Sequence, residues 1–574
     1  MSIPASHSSS WEKIKSKMST INASDSSVSS FKSAFAQLSS GSTGMVPEGA
    51  ITPATSDHES VVSYGSIAQG SISSGDKELL SKTVVVKLNG GLGTSMGLGG
   101  PKSLLSVKDG LTFLDLSCLQ ARELSGCKFM LMNSFSTSKE TTEFLKGKYE
   151  DVYDHGSYEL VQNTVPKLDA KTLEPVEYSK NANFEWCPPG HGDLYATLHG
   201  SGALQTLIGQ GYEYMFVSNS DNLGAVMDAG ILRYLAEQKK GFAMEVCERT
   251  QADKKGGHLC VKKDSGRLSL RESAMCNKED EASFQDVGKH RYFNTNNLWL
   301  NLVSLRDVMD ANGGHLSLPM IKNVKTVDPK DSSTPSVIQL ETAMGAAIES
   351  FPSSVAIVVP RTRFAPVKKC SDLLLLRSDA YEISKDHAPV LSKECNGKAP
   401  IVTLSSDCYK LVSQLDSCTR GGVPSLKGCS SLEVTGNVWM SRKCTIRGDV
   451  KIVNNNKDPR NLPRTTFDGT TVDLTAAPSL GALNPTVVKT APIDGQKPGT
   501  SGLRKKTKVF MTPNYLENFV QSTLNAVVSY GTDIKTGTLV IGGDGRYFND
   551  RAIDVIVGIA VANGVRRIWI GQDG

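Results

Sequence analysis

The chain has 574 residues, 39% of them hydrophobic and 21% charged, a balance that supports buried cores too large for a single domain. Sixty-three Lys and Arg against 59 Asp and Glu leave a formal charge of +4, which speaks against a general nucleic-acid-binding surface. No apolar run approaches the ~18 residues of a spanning helix, and the N-terminus lacks the apolar core of a secretion signal. The 12 cysteines form no C-x-x-C pair and no zinc spacing, so the expectation is a cytoplasmic protein with reduced thiols and no membrane contact. A Ser-rich leader would suit organelle import, but it has no Arg in its first 60 residues.

Residues 1–78 carry 16 serines in the first 50 positions. Val28, Phe31, Phe35 and Leu38 recur at helical spacing, which predicts one short docking helix in an otherwise mobile arm. Residues 79–390 alternate β-rich runs (TVVVKL, KFMLMNSF, YEYMFVSNS, GFAMEVCE, SSVAIVVP) with helical or loop stretches. That pattern predicts an α/β domain with a mixed sheet and helices on its faces, with the chemistry beyond the carboxyl ends of the strands. Residues 391–456, with SLEVTGNVWMSRKCTIRGDVKIVN, read as a small stacked β-domain of the solenoid kind. Residues 457–485 read as a linker. Residues 486–574 open a second α/β pattern: a strand at Gly537–Ile541, a helix at Asp550–Asn563 and a strand at Arg566–Ile570. A βαβ unit of that size leaves a parallel edge open, so a truncated domain is expected.

The strongest chemical signal follows the first strand of the large domain. Thr83–Leu88 runs into Asn89-Gly90-Gly91-Leu92-Gly93-Thr94-Ser95-Met96-Gly97, with four glycines in eight residues. Such a loop turns tightly and presents backbone N–H groups to phosphates. It is neither a P-loop, because Pro101 precedes Lys102-Ser103, nor G-x-G-x-x-G, because Met96 stands at the third position. Lys102 follows it directly. Asp221 leaves a strand end within Asn219-Ser220-Asp221-Asn222, where a carboxylate either holds Mg²⁺ or caps the next helix, predicted at Gly224–Gln238. Asn294, Asn296 and Asn297 set amides beside an aromatic, suited to sugar hydroxyls or to turns of their own. Glu341 can accept from a sugar or cap a helix.

The string LNGGLGTSMGLGGPKS resembles the nucleotide-binding signature of the UDP-glucose pyrophosphorylases, that is, UTP:glucose-1-phosphate uridylyltransferases. LMNSFST, CPPGHGDLYATL, FVSNSDNLGA, YFNTNNLWLNL, QLETAMGAAI and VPRTRFAPVKKCSDLLLL follow in the family's order, so the resemblance spans about residues 80–455. It implies a nucleotidyltransferase domain, a C-terminal left-handed β-helix, and Mg²⁺-dependent transfer of uridylyl from UTP to glucose 1-phosphate, giving UDP-glucose and pyrophosphate. It also implies site roles. Lys102 and Lys368 act at the phosphates. Leu88, Asn89, Gly90, Gly91, Gln162, Gly190 and Asp221 hold the nucleotide, with Asp221 on the metal. His191, Asn219, Asn296, Asn297 and Glu341 hold the sugar phosphate. Arg361, Arg363 and Lys369 are expected to compensate partly for Lys368. A broader UDP-sugar range, an inactive nucleotide-sugar-binding scaffold and a homo-oligomer all stay open. KPGTSGLRKK at 497–506 and LVIGGDGR at 539–546 resemble the opening of phosphoglucomutase, which implies a bifunctional parent and places Arg504 near a phosphate. The mutase's phosphoserine and metal loops do not occur in these 574 residues, and Asp544 is not a ligand of that metal.

Overall fold

In the computed structural model the described residues are 2–67, 73–123, 126–153, 158–475, 485–543 and 547–571. They fall into two compact units, Met1–Thr475 and Ala476–Gly574. Among the described residues, no helix is long and apolar enough to cross a membrane.

The N-terminal segment departs from the mobile arm expected of it. Two helices form, α1 (Ser8–Ser19) and α2 (Asp25–Ser39), the second capped by Ser24, whose side chain accepts from the Ser27 N–H. Trp11, Ile14 and Met18 recur at helical spacing on α1, as do Phe31, Phe35 and Leu38 on α2. Together they bury against Val165, Leu168, Ile338 and Leu340. Ile14, Met18 and Phe35 are fully buried, each contributing ~1.5–3 kcal/mol. Ser8, Ser9, Ser16 and Ser19 stay exposed on α1, whereas Ser10, Ser26 and Ser27 are buried with the apolar residues, so composition understated what the pattern buries.

The main run of the 11-stranded large sheet passes through β1 (Val61–Ser63), β2 (Thr83–Asn89), β3 (Lys128–Asn133), β4 (Glu159–Val161), β5 (Tyr214–Asn219), β6 (Phe242–Glu248), β7 (Tyr292–Asn301) and, past β8 (Ser336–Thr342), β9 (Ser354–Val358). Their spatial order is β1-β9-β6-β7-β5-β2-β3-β4. All neighbours on this path are parallel except at β7, which runs antiparallel to both β5 and β6. This is the expected mixed sheet. β2 is central, so its side chains meet cores on both faces: Val84 and Val86 on one, Val85 on the other. Its near-continuous apolar run follows from that double burial. β2, β3 and β5 end side by side, with Asn89 beside Asn133 and Leu88 beside Asn219. Strand ends therefore converge where the glycine-rich loop begins.

Beyond residue 400 the chain stacks parallel strands. β10 (Ile401–Leu404), β11 (Ser425–Thr435) and β12 (Thr445–Val453) pair in turn, and β13 (Thr466–Asp468) and β14 (Thr471–Asp473) pair on β12. The coils share one core with Met96, Phe113 and Leu116 of the large α/β domain. The stack continues to residue 473, so the linker expected from 457 starts too early. Pro459 and Pro463 flank the short strand Arg460–Asn461 within it.

The second unit holds α3 (Tyr515–Ser529), β15 (Thr538–Ile541), α4 (Asn549–Ala562) and β16 (Arg567–Ile570), with β15 and β16 parallel. Leu524, Ala560 and Val565 form its small core. The strand–helix–strand order matches the sequence reading. Residues 544–546, which include Asp544, lie outside the described set.

Candidate active site

The glycine-rich loop closes on itself. The Lys102 N–H donates to the Gly91 carbonyl at 3.1 Å, and Leu92 bridges Pro101, so Lys102 returns to the first glycines. Its Nζ donates to Asp221 Oδ2 at 2.7 Å. Lys368 Nζ approaches the same oxygen to 3.8 Å and is more exposed, 56% against 17% for Lys102. Its segment is laid along the Asp221 turn: the Val367 N–H donates to the Asp221 carbonyl at 3.2 Å, and the Ala365 N–H to Asn222 Oδ1 at 2.9 Å. Two ammonium groups thus meet one carboxylate, where both can turn to the oxygens of a polyphosphate.

A cavity of about 270 Å³ opens here, lined by Leu88, Gly90, Gly91, Lys102, Met132, Gln162, Pro188, Gly190, His191, Asn219, Ser220, Asp221 and Glu341. Gln162 Nε2 donates to the Gly190 carbonyl at 2.8 Å. Glu341 lies on β8 and caps nothing, since the following turn has Ala343 at its N-cap. Asp221 does not cap a helix either. The next helix, Ala229–Glu237, is capped by Asp228, whose side chain accepts from the Ile231 N–H at 3.0 Å.

Gly190 has φ +81°, and a Cβ there would sit 2.6 Å from the Thr342 carbonyl oxygen. Gly190→Ala should therefore displace Gln162 or β8 and lower kcat/KM by ~10-fold or more. Steady-state kinetics check this, and an unchanged kcat/KM would show that the loop yields without cost.

His191 Nδ1 accepts from the Met344 N–H at 3.0 Å, which leaves Nε2 to carry the hydrogen as a donor. Burial, with Lys368 nearby, lowers its pKa from 6.5 to about 4. The unfolded chain then binds the extra proton first as pH falls, so the stability tied to neutral His191 is complete above 6.5 and is lost toward 4. The pH profile of kcat/KM should accordingly carry no inflection from this imidazole near 6.5. An inflection there that His191→Gln abolished would overturn its assignment as a neutral donor.

Several expected residues are not brought to the cavity. Asn89 is 1% exposed, and its Nδ2 donates to Asn133 Oδ1 and Thr141 Oγ1, tying strand ends beneath the loop. Asn297 is fully buried, donating to Glu245 Oε2 and accepting from Asn222 Nδ2. Asn294 and Asn296 bond each other around a backbone turn at φ +58°, as turn-forming asparagines do. The arginines expected to back up Lys368 are already engaged. Arg361 forks onto Asp253, and Arg363 onto Glu245, itself fully buried. A run of basic residues gives no hint of which ones face inward carboxylates.

Asp193 was missed. It accepts from the Asn163 N–H and Nδ2 and from Thr197 Oγ1, anchoring the strand beside Gln162, and burial raises its pKa to about 6. Its place in the GHGD segment was the available signal.

Whether the site suits Mg²⁺ can be judged from Asp221. Its Oδ1 is buried with no hydrogen-bond partner, while Oδ2 is taken by lysine. A hard cation is a fitting partner for that oxygen. Among the described residues no group of three His, Cys, Asp or Glu gathers as a protein-only cage. The set suits the Mg²⁺ mode of one carboxylate completed by phosphate oxygens and water.

Residues 28–447 match the family described as UTP–glucose-1-phosphate uridylyltransferase, and residues 495–572 match phosphoglucomutase/phosphomannomutase, alpha/beta/alpha domain I. The chain is similar to a probable UTP–glucose-1-phosphate uridylyltransferase of Schizosaccharomyces pombe, 41% identical over 412 residues, 71% of this chain and 79% of that one. It is similar to a variant of the UDP-glucose pyrophosphorylase from Leishmania major solved in complex with UDP-glucose, at 45% identity and TM-score 0.77, over 81% of this chain and 99% of that one. A UDP-glucose phosphorylase from Trypanosoma brucei gives 46% identity and TM-score 0.74, over 81% and 100%. With a match over residues 28–447 and the strand-end cavity built from that same stretch, the chain belongs to the UTP–glucose-1-phosphate uridylyltransferase family.

Proposed function

We propose that this protein transfers the uridylyl group of UTP to glucose 1-phosphate, forming UDP-glucose and pyrophosphate with the help of Mg²⁺. The carrying observation is the meeting of Lys102 and Lys368 on Asp221 at the rim of a cavity that also holds the first glycines, Gln162 and His191. The sugar phosphate oxygen attacks the α-phosphorus of UTP and pyrophosphate leaves in line. No covalent enzyme intermediate and no base are needed, since the phosphate is already ionised at neutral pH.

The protein's task is alignment and charge neutralisation. Gly90 and Gly91 allow the backbone to approach the nucleotide closely, and Gln162 offers a paired donor and acceptor to the uracil edge. Lys102 and Lys368 offset charge on the phosphates, and His191 donates from Nε2. Asp221 Oδ1 would hold the Mg²⁺, which neutralises phosphate charge when bound. The left-handed sense of the β-helix and a cytoplasmic location belong to the same reading. The domain I match at 495–572 supports a bifunctional protein in which a mutase-type unit supplies glucose 1-phosphate.

The test is pyrophosphate release from UTP and glucose 1-phosphate, with and without Mg²⁺, beside galactose 1-phosphate. Metal-dependent release with glucose 1-phosphate alone is expected. Equal release with galactose 1-phosphate would broaden the sugar range, and silence from folded protein that still binds UDP-glucose would leave a scaffold.

A further inference from the structure

Beneath the cavity lies a lysine with no part in the reaction as described. Lys87 is on β2, three residues before Gly90, and only 3% exposed. Its Nζ donates to Ser218 Oγ at 2.9 Å and to the Ala225 carbonyl at 2.8 Å. Ser218 is the residue before Asn219 on β5, and Ala225 ends the turn that follows it. The two bonds therefore grip both ends of the segment that carries Asn219 and Asp221.

An ammonium in this place is costly. Among the described residues it forms no ion pair, and its neighbours include the Phe216 ring at 6.0 Å. Taking such a charge out of water carries a penalty that two neutral acceptors only partly offset. Burial and the nearby Arg363 guanidinium accordingly pull its pKa down to about 7. A methionine would fill similar space without the desolvation cost. What lysine adds is the pair of bonds.

The same turn is also held by Arg363, whose Nη2 donates to the Val226 carbonyl at 2.9 Å and whose carbonyl accepts from Asn222 Nδ2 at 3.2 Å. Arg363 also belongs to the run that leads to Lys368. With Lys87 and Arg363 both bonded to it, the Asp221 turn has few ways to move.

We propose that Lys87 is a positioning residue for uridylyl transfer. It staples 218–225 so that Asp221 meets Lys102 and Lys368 in one arrangement. The inference rests on the reading that Asp221 stands at the reacting phosphates. Displacement of a catalytic group by about 1 Å costs on the order of 10²-fold in rate, so a staple of this kind acts on kcat without touching substrate.

The experiment uses the full chain with Lys87→Met, Ser218→Ala and the double variant. It reads kcat and KM for UTP, the Tm, and amide hydrogen exchange across 219–226 without substrate. For Lys87→Met, kcat should fall by ~10–100-fold with KM little changed, since the lost term is alignment rather than binding. Exchange across 219–226 should quicken while exchange in α1 and α2 does not. Tm should move by no more than about 3 °C, because the loss of two hydrogen bonds is set against relief of a buried charge. Ser218→Ala, which removes one of the two bonds, should show a smaller loss, and the double variant should be no slower than Lys87→Met, as expected of partners in one interaction. Unchanged exchange across 219–226 would overturn the proposal, as would a kcat within about twofold of the parent. So would a kcat loss that merely follows a general fall in Tm. Should Lys87→Met fail to fold, Ser218→Ala and its exchange rates decide alone. A parent protein silent in turnover would refute the functional reading, and the exchange rates would still judge the staple.

Discussion

Lys102→Ala is expected to lower kcat by at least ~10²-fold, ~2.7 kcal/mol of transition-state stabilisation, the scale seen on losing one preorganised charge-stabilising group. The structure says why this lysine should matter more than its partner. Lys102 is 17% exposed and clamped by the closed loop, whereas Lys368 is 56% exposed and stands 3.8 Å from Asp221 against 2.7 Å. A fixed charge in a partly dry site is worth more than a mobile one in water, because little reorganisation is left to do when charge develops. Lys368→Ala should therefore cost less than Lys102→Ala, yet find no substitute in Arg361 or Arg363, whose forks are held by Asp253 and Glu245. Single-turnover kinetics of the two variants check the order. A loss under about tenfold for Lys102→Ala, well short of one oxyanion-type donor, would move the main charge to Lys368.

Asp221→Asn should be about as damaging, with a different signature. The amide keeps the size of the side chain and one oxygen for Lys102, but it removes the negative charge and sets an N–H₂ where the unpartnered Oδ1 now lies. A dication has no use for that donor. The expectation is a fall in kcat of ~10²-fold or more together with a raised Mg²⁺ requirement, since the group proposed to hold the metal also orders the lysines. Titrating Mg²⁺ at saturating UTP separates the two effects. Activity restored in full by excess Mg²⁺ would make Asp221 a metal ligand without a role in aligning the lysines, and a normal Mg²⁺ response with low kcat would remove it from the metal altogether.

Among the expected site residues that the structure brings to one cavity, several owe their place to the backbone or to a strand end. Gly90, Gly91 and Gly190 are such cases. So are Lys102 and Asp221, which directly follow the glycine loop and a strand. All five line the cavity. Side chains in polar clusters were harder, because one residue type serves two ends. Asn89, Asn296 and Asn297 carry the same amide a sugar would want, yet Asn89 ties strand ends and Asn297 meets the buried Glu245. Arg361 and Arg363 looked like spare cations until their carboxylate partners, more than 100 residues earlier in the chain, were seen. Lys87 drew no notice within an apolar strand, and only its neighbours Ser218 and Ala225 reveal what it holds.

By itself the sequence determined the local matters: the alternating α/β pattern, the stacked parallel strands, the strand–helix–strand of the second unit, and the glycine loop with its lysine. These follow from periodicity, turn chemistry and spacing, which act over a few residues. Tertiary structure decided the rest. It turned a Ser-rich leader into two packed helices, since the apolar surface they cover comes from residues 165–168 and 338–340. It also chose which of several lysines, arginines and asparagines face the cavity and which face a buried carboxylate. That choice depends on the partner brought near by folding, and on the cost of leaving a charge or amide in the core without one.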